Sequence, residues 1–358
     1  MLTALTFALI LTSAVVVHEL AHFANARSVG VPVRAFSVGI GPVVARWRWR
    51  DTEWRISLLP LGGYVDLPGM GAKVGEDGEL EHPDEGMATK GWAAKMWVLI
   101  GGVIANYLLG IVLLATAVTL QPGYRELTTG VAPEADGSTI SVVAEDSAAA
   151  RLGIRPGDRV LVLNGIQDPV PAQVVEQVQT SDRLVLTVDR DGQELVIETA
   201  WPIEPTDGTP LLGVQIAPIV PAVPFLQALP EAAAFGVRVI PDMVRGFVSG
   251  FGAAITGREN ADVAGPVGMV GLVNQATRVG LAPVVLLAAV INFSLAVFNL
   301  LPIPGLDGGR MLLTSVVALR GKPFRPGQEE QLHFLGIMAV LALIVLITFR
   351  ELSALFSG

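Results

Sequence analysis

The chain of 358 residues is 51% hydrophobic, carries charge at only 16% of positions, and has a mean hydropathy of +0.56 with a net charge of −9. That composition belongs to a membrane protein, and the negative balance argues against a nucleic-acid partner. Cysteine is absent, which excludes disulfides and leaves His, Asp and Glu as the available metal ligands.

Four stretches approach the roughly 20 apolar residues that span hydrocarbon: 2–23, 96–120, 281–301 and 335–349. The first has no basic flank and no small-residue cleavage pattern, so it is expected to be a retained span and not a signal peptide. It ends in V-V-V-H-E-L-A-H-F. On a helix, His18 and His22 stand one turn apart on one face and can reach one ion, while Glu19 projects beside them, where it can act on a water. The pattern calls for zinc and a general base. Ionisable groups at membrane depth are costly, which makes them functional-site candidates by default.

Residues 46–58 alternate in character on either side of Asp51 and Thr52, which predicts a hairpin turning at that pair. One face carries Trp47, Trp49, Trp54, Ile56 and Leu58; the other carries the arginines, Glu53 and Ser57. Tryptophan favours the membrane interface, so the hairpin is expected to dip into the bilayer; packing in a small cytoplasmic core is the alternative. The edge of strand 53–58 is then available to an extended polypeptide, with Trp54, Ile56 and Leu58 as substrate contacts. Residues 69–86 read as a Gly-rich, acidic, mobile loop. Its His82, like His333 before the last span, lacks partner spacing and is expected to be solvated.

Basic residues mark the sidedness. Arg27, Arg34, Lys90 and Lys95 flank the first loop, and Arg310, Arg320, Lys322 and Arg325 fill the last, which places both in the cytoplasm. Segment 121–280 holds ten basic residues against nineteen acidic ones and is expected outside. Within it come a short helix from Ser147, a Pro-Gly turn, a β-rich run ending in Asn164-Gly165, a polar helix over 172–178, and a hairpin over 183–199 turning at Asp191-Gly192. Residues 224–280 read as amphipathic helices on the outer membrane surface.

The third span ends Asn292-Phe-Ser-Leu-Ala-Val-Phe-Asn299-Leu-Leu-Pro302-Ile-Pro304-Gly-Leu-Asp307-Gly-Gly-Arg310. Two prolines so placed must break the helix, and broken backbone at membrane depth survives only under protein or beside water. Asp307, with Gly308 and Gly309 permitting close approach, is a candidate third ligand, leaving the fourth metal position open. A turn leaving the membrane, with Asp307 as a helix cap, is the other reading.

H-E-L-A-H in the first span and N-L-L-P-I-P-G-L-D-G in the third together resemble the site-2 protease family of intramembrane zinc metalloproteases. F-S-V-G-I-G-P from Phe36, P-L-G-G-Y-V from Pro60 and G-x-x-x-N at Gly102 and Asn106 match as well. The run L-G-I-R-P-G-D-R-V-L-V-L-N-G resembles a single PDZ domain of the bacterial type. The implied fold is a polytopic α-helical membrane protein of about four transmembrane helices, with a membrane-associated β-hairpin and an inserted α+β PDZ domain. Its parts would be 1–120, the PDZ domain at 130–217, the surface helices at 224–280 and the last spans at 281–358. The resemblance implies a bacterial multi-pass cell-membrane enzyme with the PDZ domain outside and the active site toward the cytoplasm. It would cut single-pass transmembrane proteins, commonly anti-sigma factors after a first external cut, in regulated intramembrane proteolysis. By the family pattern Zn2+ is held by His18, His22 and Asp307, Glu19 is the base, and Asn299 holds the substrate backbone. Val103 and Ser294 stand where relatives often carry proline and asparagine, which leaves Asn106 and Asn292 without an assigned role. The rival readings are a membrane-anchored metallopeptidase acting on soluble polypeptides and a non-catalytic PDZ scaffold.

Overall fold

The computed structural model describes residues 2–70, 73–74, 80–81, 84–131, 134–203, 211–256 and 265–357. His82 lies outside them. The chain divides into two compact units, one made of residues 1–117 with 225–358 and the other of residues 118–224.

The first unit opens with α1 (Leu2–Ser28), whose buried residues Ile10, Ala14, His18, His22 and Ala26 recur every fourth position. The stripe that packs α1 into the bundle is therefore the stripe that carries both histidines. Strands β1 (Ala35–Trp49) and β2 (Thr52–Asp66) follow, then the short ladder β3 (Lys73–Val74) with β4 (Leu80–Glu81), and α2 (Trp92–Leu120). After the second unit come α6 (Phe225–Thr256), α7 (Pro266–Val279), α8 (Leu281–Leu300), α9 (Asp307–Arg320) and α10 (Gln328–Ser357). Helices α1, α2, α8 and α10 are long and apolar enough to cross a membrane. These are the four expected spans, although α10 extends well beyond 335–349 at both ends.

The hairpin differs from expectation in two ways. Trp49 stands opposite Thr52, so the two-residue turn is Arg50-Asp51, with Arg50 at φ 53°. Both strands are also long enough to fold back on themselves. Residues 53–56 face 45–48 on one side and 35–38 on the other, and 35–38 also face 63–66. The result is a sheet of four segments in which 53–56 is interior. The expectation that strand 53–58 offers an edge over Trp54 and Ile56 is thus overturned, because bending of β1 brings 35–38 onto it. The outer half of the sheet is exposed, with Val44 66%, Trp47 49% and Leu58 60% accessible and Arg46, Arg48 and Arg50 exposed among them. Trp54 turns inward against Phe23 and Phe36, at ring separations of 5.5 and 4.9 Å.

The surface-helix expectation for 224–280 needs a second correction. Val273 of α7 is fully buried with Ile10 of α1 and Ile291 of α8, and the Glu351 carboxylate of α10 accepts the N–H groups of Gly265, Val267 and Gly268 at 2.7–3.1 Å. An acid at the N-terminal turn satisfies otherwise orphaned donors. Helix α7 is consequently part of the bundle.

The second unit contains α3 (Arg125–Thr129), β5 (Ser138–Val143), α4 (Ala148–Arg151), β6 (Arg159–Leu163), β7 (Ile166–Gln167), α5 (Pro171–Thr180), β8 (Arg183–Arg190), β9 (Gln193–Ala200) and β10 (Val214–Pro218). The sheet order is β10-β5-β6-β8-β9, with β7 paired to β6, over a core that includes Ile140, Val160, Leu163, Val174, Leu186 and Trp201. Asn164 and Asp191 adopt positive φ before glycines, at the two turns the sequence marked. Asp158 is buried and bound through both oxygens by the Arg190 guanidinium at 2.7 Å. Burial pushes its carboxyl up, but Arg190 and the Arg155 N–H outweigh this and hold it below the ordinary 3.8. A depressed folded-state pKa contributes stability above the unfolded value that is lost as pH falls through the folded one. Asp158→Ala, which strands Arg190, should cost this unit about 3 kcal/mol at neutral pH. In denaturant titrations the difference from wild type should shrink below about pH 4; a pH-independent difference would contradict the pairing.

Candidate metal centre

The residues that the sequence marked in the first and third spans meet at one point. His18 Nε2 and His22 Nε2 are 3.1 Å apart, and Asp307 Oδ2 lies 3.0 Å from the first and 3.2 Å from the second. Both histidines are buried, and the Asp307 side chain is 16% exposed. Among the described residues these are the one group of three acidic or imidazole side chains converging closely enough to hold a metal.

Two local features bring Asp307 there. Helix α8 ends at Leu300 and α9 begins at Asp307, so the double-proline break is a six-residue turn and Asp307 starts a new helix, as its reading as a helix cap anticipated. Gly308 and Gly309 are buried, and a Cβ on either would overlap the carbonyl oxygens of Leu300, Leu301 or Ile303. Only glycine lets α9 start against the end of α8.

The backbone and amides of α2 orient the imidazoles. His22 Nδ1 lies 2.8 Å from the Val98 carbonyl; a carbonyl only accepts, so Nδ1 carries the proton and the Nε2 lone pair faces the site. His18 Nδ1 lies 3.4 Å from the Asn106 amide nitrogen, and Asn106 Oδ1 is buried with no partner among the described residues. Turning the amide over brings that oxygen to His18 Nδ1–H. A Cβ at Gly102 would stand 2.5 Å from the His18 ring, so glycine is what admits the imidazole against α2. The spacing of Gly102 and Asn106, one helical turn, was the available signal for this supporting role.

Glu19 sits on the next face of α1. The backbone of Val65 in β2 lies close to its carboxylate, and a Cβ at Gly63 would lie 3.6 Å from its Cγ. Segment 63–66 therefore runs alongside the carboxylate. Asn299 occupies the last turn of α8, partly exposed and without a side-chain partner among the described residues. Asn292 is buried and donates to the Ala288 carbonyl at 2.8 Å. His333, expected to be solvated, is buried.

The donor set fits zinc. Tetrahedral zinc with bonds of about 2.0–2.2 Å places its donors about 3.4 Å apart, close to the triangle formed by the two Nε2 atoms and Asp307 Oδ2, and among the described residues Oδ2 has no other hydrogen-bond partner. Residues 6–343 match the model of peptidase family M50. The chain belongs to that family, the site-2 proteases. It is 32% identical to a putative zinc metalloprotease of Agrobacterium fabrum over 98% of this chain and 95% of the other. It is 26% identical to a probable protease, eep, of Enterococcus faecalis over 99% and 100%, and 29% identical to the chloroplastic membrane metalloprotease ARASP of Arabidopsis thaliana over 93% and 75%. The protein is accordingly a membrane zinc metalloprotease.

Proposed function

We propose that this protease cuts peptide bonds inside the transmembrane segments of single-pass membrane proteins, with an anti-sigma factor as its substrate. The observation that carries the reading is the meeting of His18, His22 and Asp307 donor atoms within an apolar helix bundle. In this reading the three residues hold zinc. A zinc ion held there would supply the Lewis acidity that activates a water and polarises the scissile carbonyl. Glu19 takes the proton from the attacking water and delivers one to the leaving amine. The Val98 carbonyl fixes the His22 tautomer.

A substrate helix shields its own peptide bonds, so it must unwind, and its freed backbone groups need partners. The edge suited to this is segment 63–66, which is paired on one side by 35–38 and passes Glu19 on the other. Strand addition there would present the scissile bond to Glu19 and the metal, and Asn299 would bind a further backbone group. By the distribution of basic residues, the metal-bearing ends of these helices face the cytoplasm and the second unit lies outside.

The second unit is read as a PDZ domain. Its groove of about 310 Å³ lies between α5 and β10, lined by Val142, Val175, Val178 and Leu211–Ile216 residues, which suits an extended peptide added to the β10 edge. Val175→Arg should slow cleavage of an externally trimmed substrate severalfold with zinc content unchanged, and unaltered turnover would remove the groove from the mechanism.

Glu19→Gln should retain about one zinc per chain by elemental analysis and lose cleavage by at least about a hundredfold, whereas His22→Ala should lose the metal. Membrane fragments present in cells with the wild-type protease and absent with Glu19→Gln would identify the substrate by mass spectrometry; activity in Glu19→Gln would sink the assignment of the base. Pairing to 63–66 predicts a period of two. Amide-to-ester replacements walked through a synthetic transmembrane substrate should slow cleavage about fivefold at alternate positions; a uniform or absent effect would end the strand-addition idea.

A further inference from the structure

His333 is only 7% exposed and lies in the second turn of α10, away from the three converging donor atoms. Its Nδ1 accepts the Gly305 N–H at 2.8 Å. That donor leaves the neutral ring's proton on Nε2, which faces Glu329 Oε1 at 3.7 Å. Gly305 belongs to the turn between α8 and α9, two residues before Asp307.

Within the turn 301–306 every available amide but that of Gly305 bonds locally. Pro302 and Pro304 have no N–H, and the backbone bonds around them run from Ile303 to Leu301, from Leu306 to Ile303 and from Arg310 to Leu306. The Gly305 N–H points out of the turn, to His333. Around this bond the fit is close. A Cβ on Gly336 would overlap the Pro304 carbonyl, and one on Gly305, which sits at φ 99°, would lie 2.7 Å from Ile337 Cγ1 and 3.3 Å from the His333 carbonyl oxygen. The first turns of α10 thus form a seat for Pro304-Gly305.

We propose that His333 is a positioning residue of the metal site: by accepting the Gly305 N–H it locks the turn that presents Asp307, and so couples the start of α10 to zinc binding. The inference rests on Asp307 being a ligand. Partners one step removed from a metal act by fixing the ligand's orientation, and their loss commonly weakens metal binding by about 10- to 100-fold. Without the imidazole the Gly305 N–H is left without its partner in a partly buried setting, and the turn gains alternatives in which the carboxylate points elsewhere.

The test uses the full chain in detergent, with zinc affinity read by competition against a chromophoric chelator. His333→Leu should weaken zinc binding by about tenfold or more. His333→Asn, whose amide oxygen can stand where Nδ1 stood, should recover most of that loss. Ile337→Ala trims packing on the same turn without touching the acceptor and should lower thermal stability while leaving zinc affinity unchanged. Wild-type affinity in His333→Leu, no recovery in His333→Asn, or an equal loss in Ile337→Ala would each overturn the proposal. Should His333→Leu fail to fold, hydrogen exchange in the wild-type protein decides: the Gly305 amide should be protected, and rapid exchange would overturn it. Asp307→Ala separates the two ideas, because retention of zinc there refutes the ligand reading itself, while loss of zinc there with wild-type affinity in His333→Leu refutes only the positioning role.

Discussion

Two imidazole nitrogens and a carboxylate oxygen held about 3 Å from one another inside an apolar bundle are expensive to assemble. Each gives up water, and their lone pairs face one another until a cation lies between them. Much of the first unit serves that meeting. Helix α1 buries the face that carries both histidines, α2 offers a glycine to admit one ring and a carbonyl to orient the other, and α8 stops short so that α9 can start with the carboxylate in place.

Irregular backbone carries its own cost, since N–H and C=O groups left without partners away from water cost about as much as a lost hydrogen bond. The molecule meets this in two ways. The hairpin strands bend until four segments pair, which leaves 53–56 saturated and confines free edges to the two outer segments. The proline turn is seated on α10, with Gly336 against Pro304. Helix α10 is thus engaged at both ends, by His333 at the turn and by Glu351 at the start of α7. A helix that composition alone presents as a plain apolar span bears on both the metal site and the packing of its neighbours.

The sequence itself determined the four apolar spans, the zinc motif, the break before Asp307 and the turns at Asn164 and Asp191. Each depends on a period, a proline or a left-handed backbone requirement acting within a few residues. Whether Asp307 meets the histidines, that 53–56 lies inside a sheet and that α7 joins the bundle were decided only by tertiary structure. So was the burial of His333, a lone histidine whose meaning comes entirely from a glycine amide on another helix's turn. Local pattern fixes which groups a segment can offer, but which groups face one another depends on how distant segments satisfy their backbone and fill space.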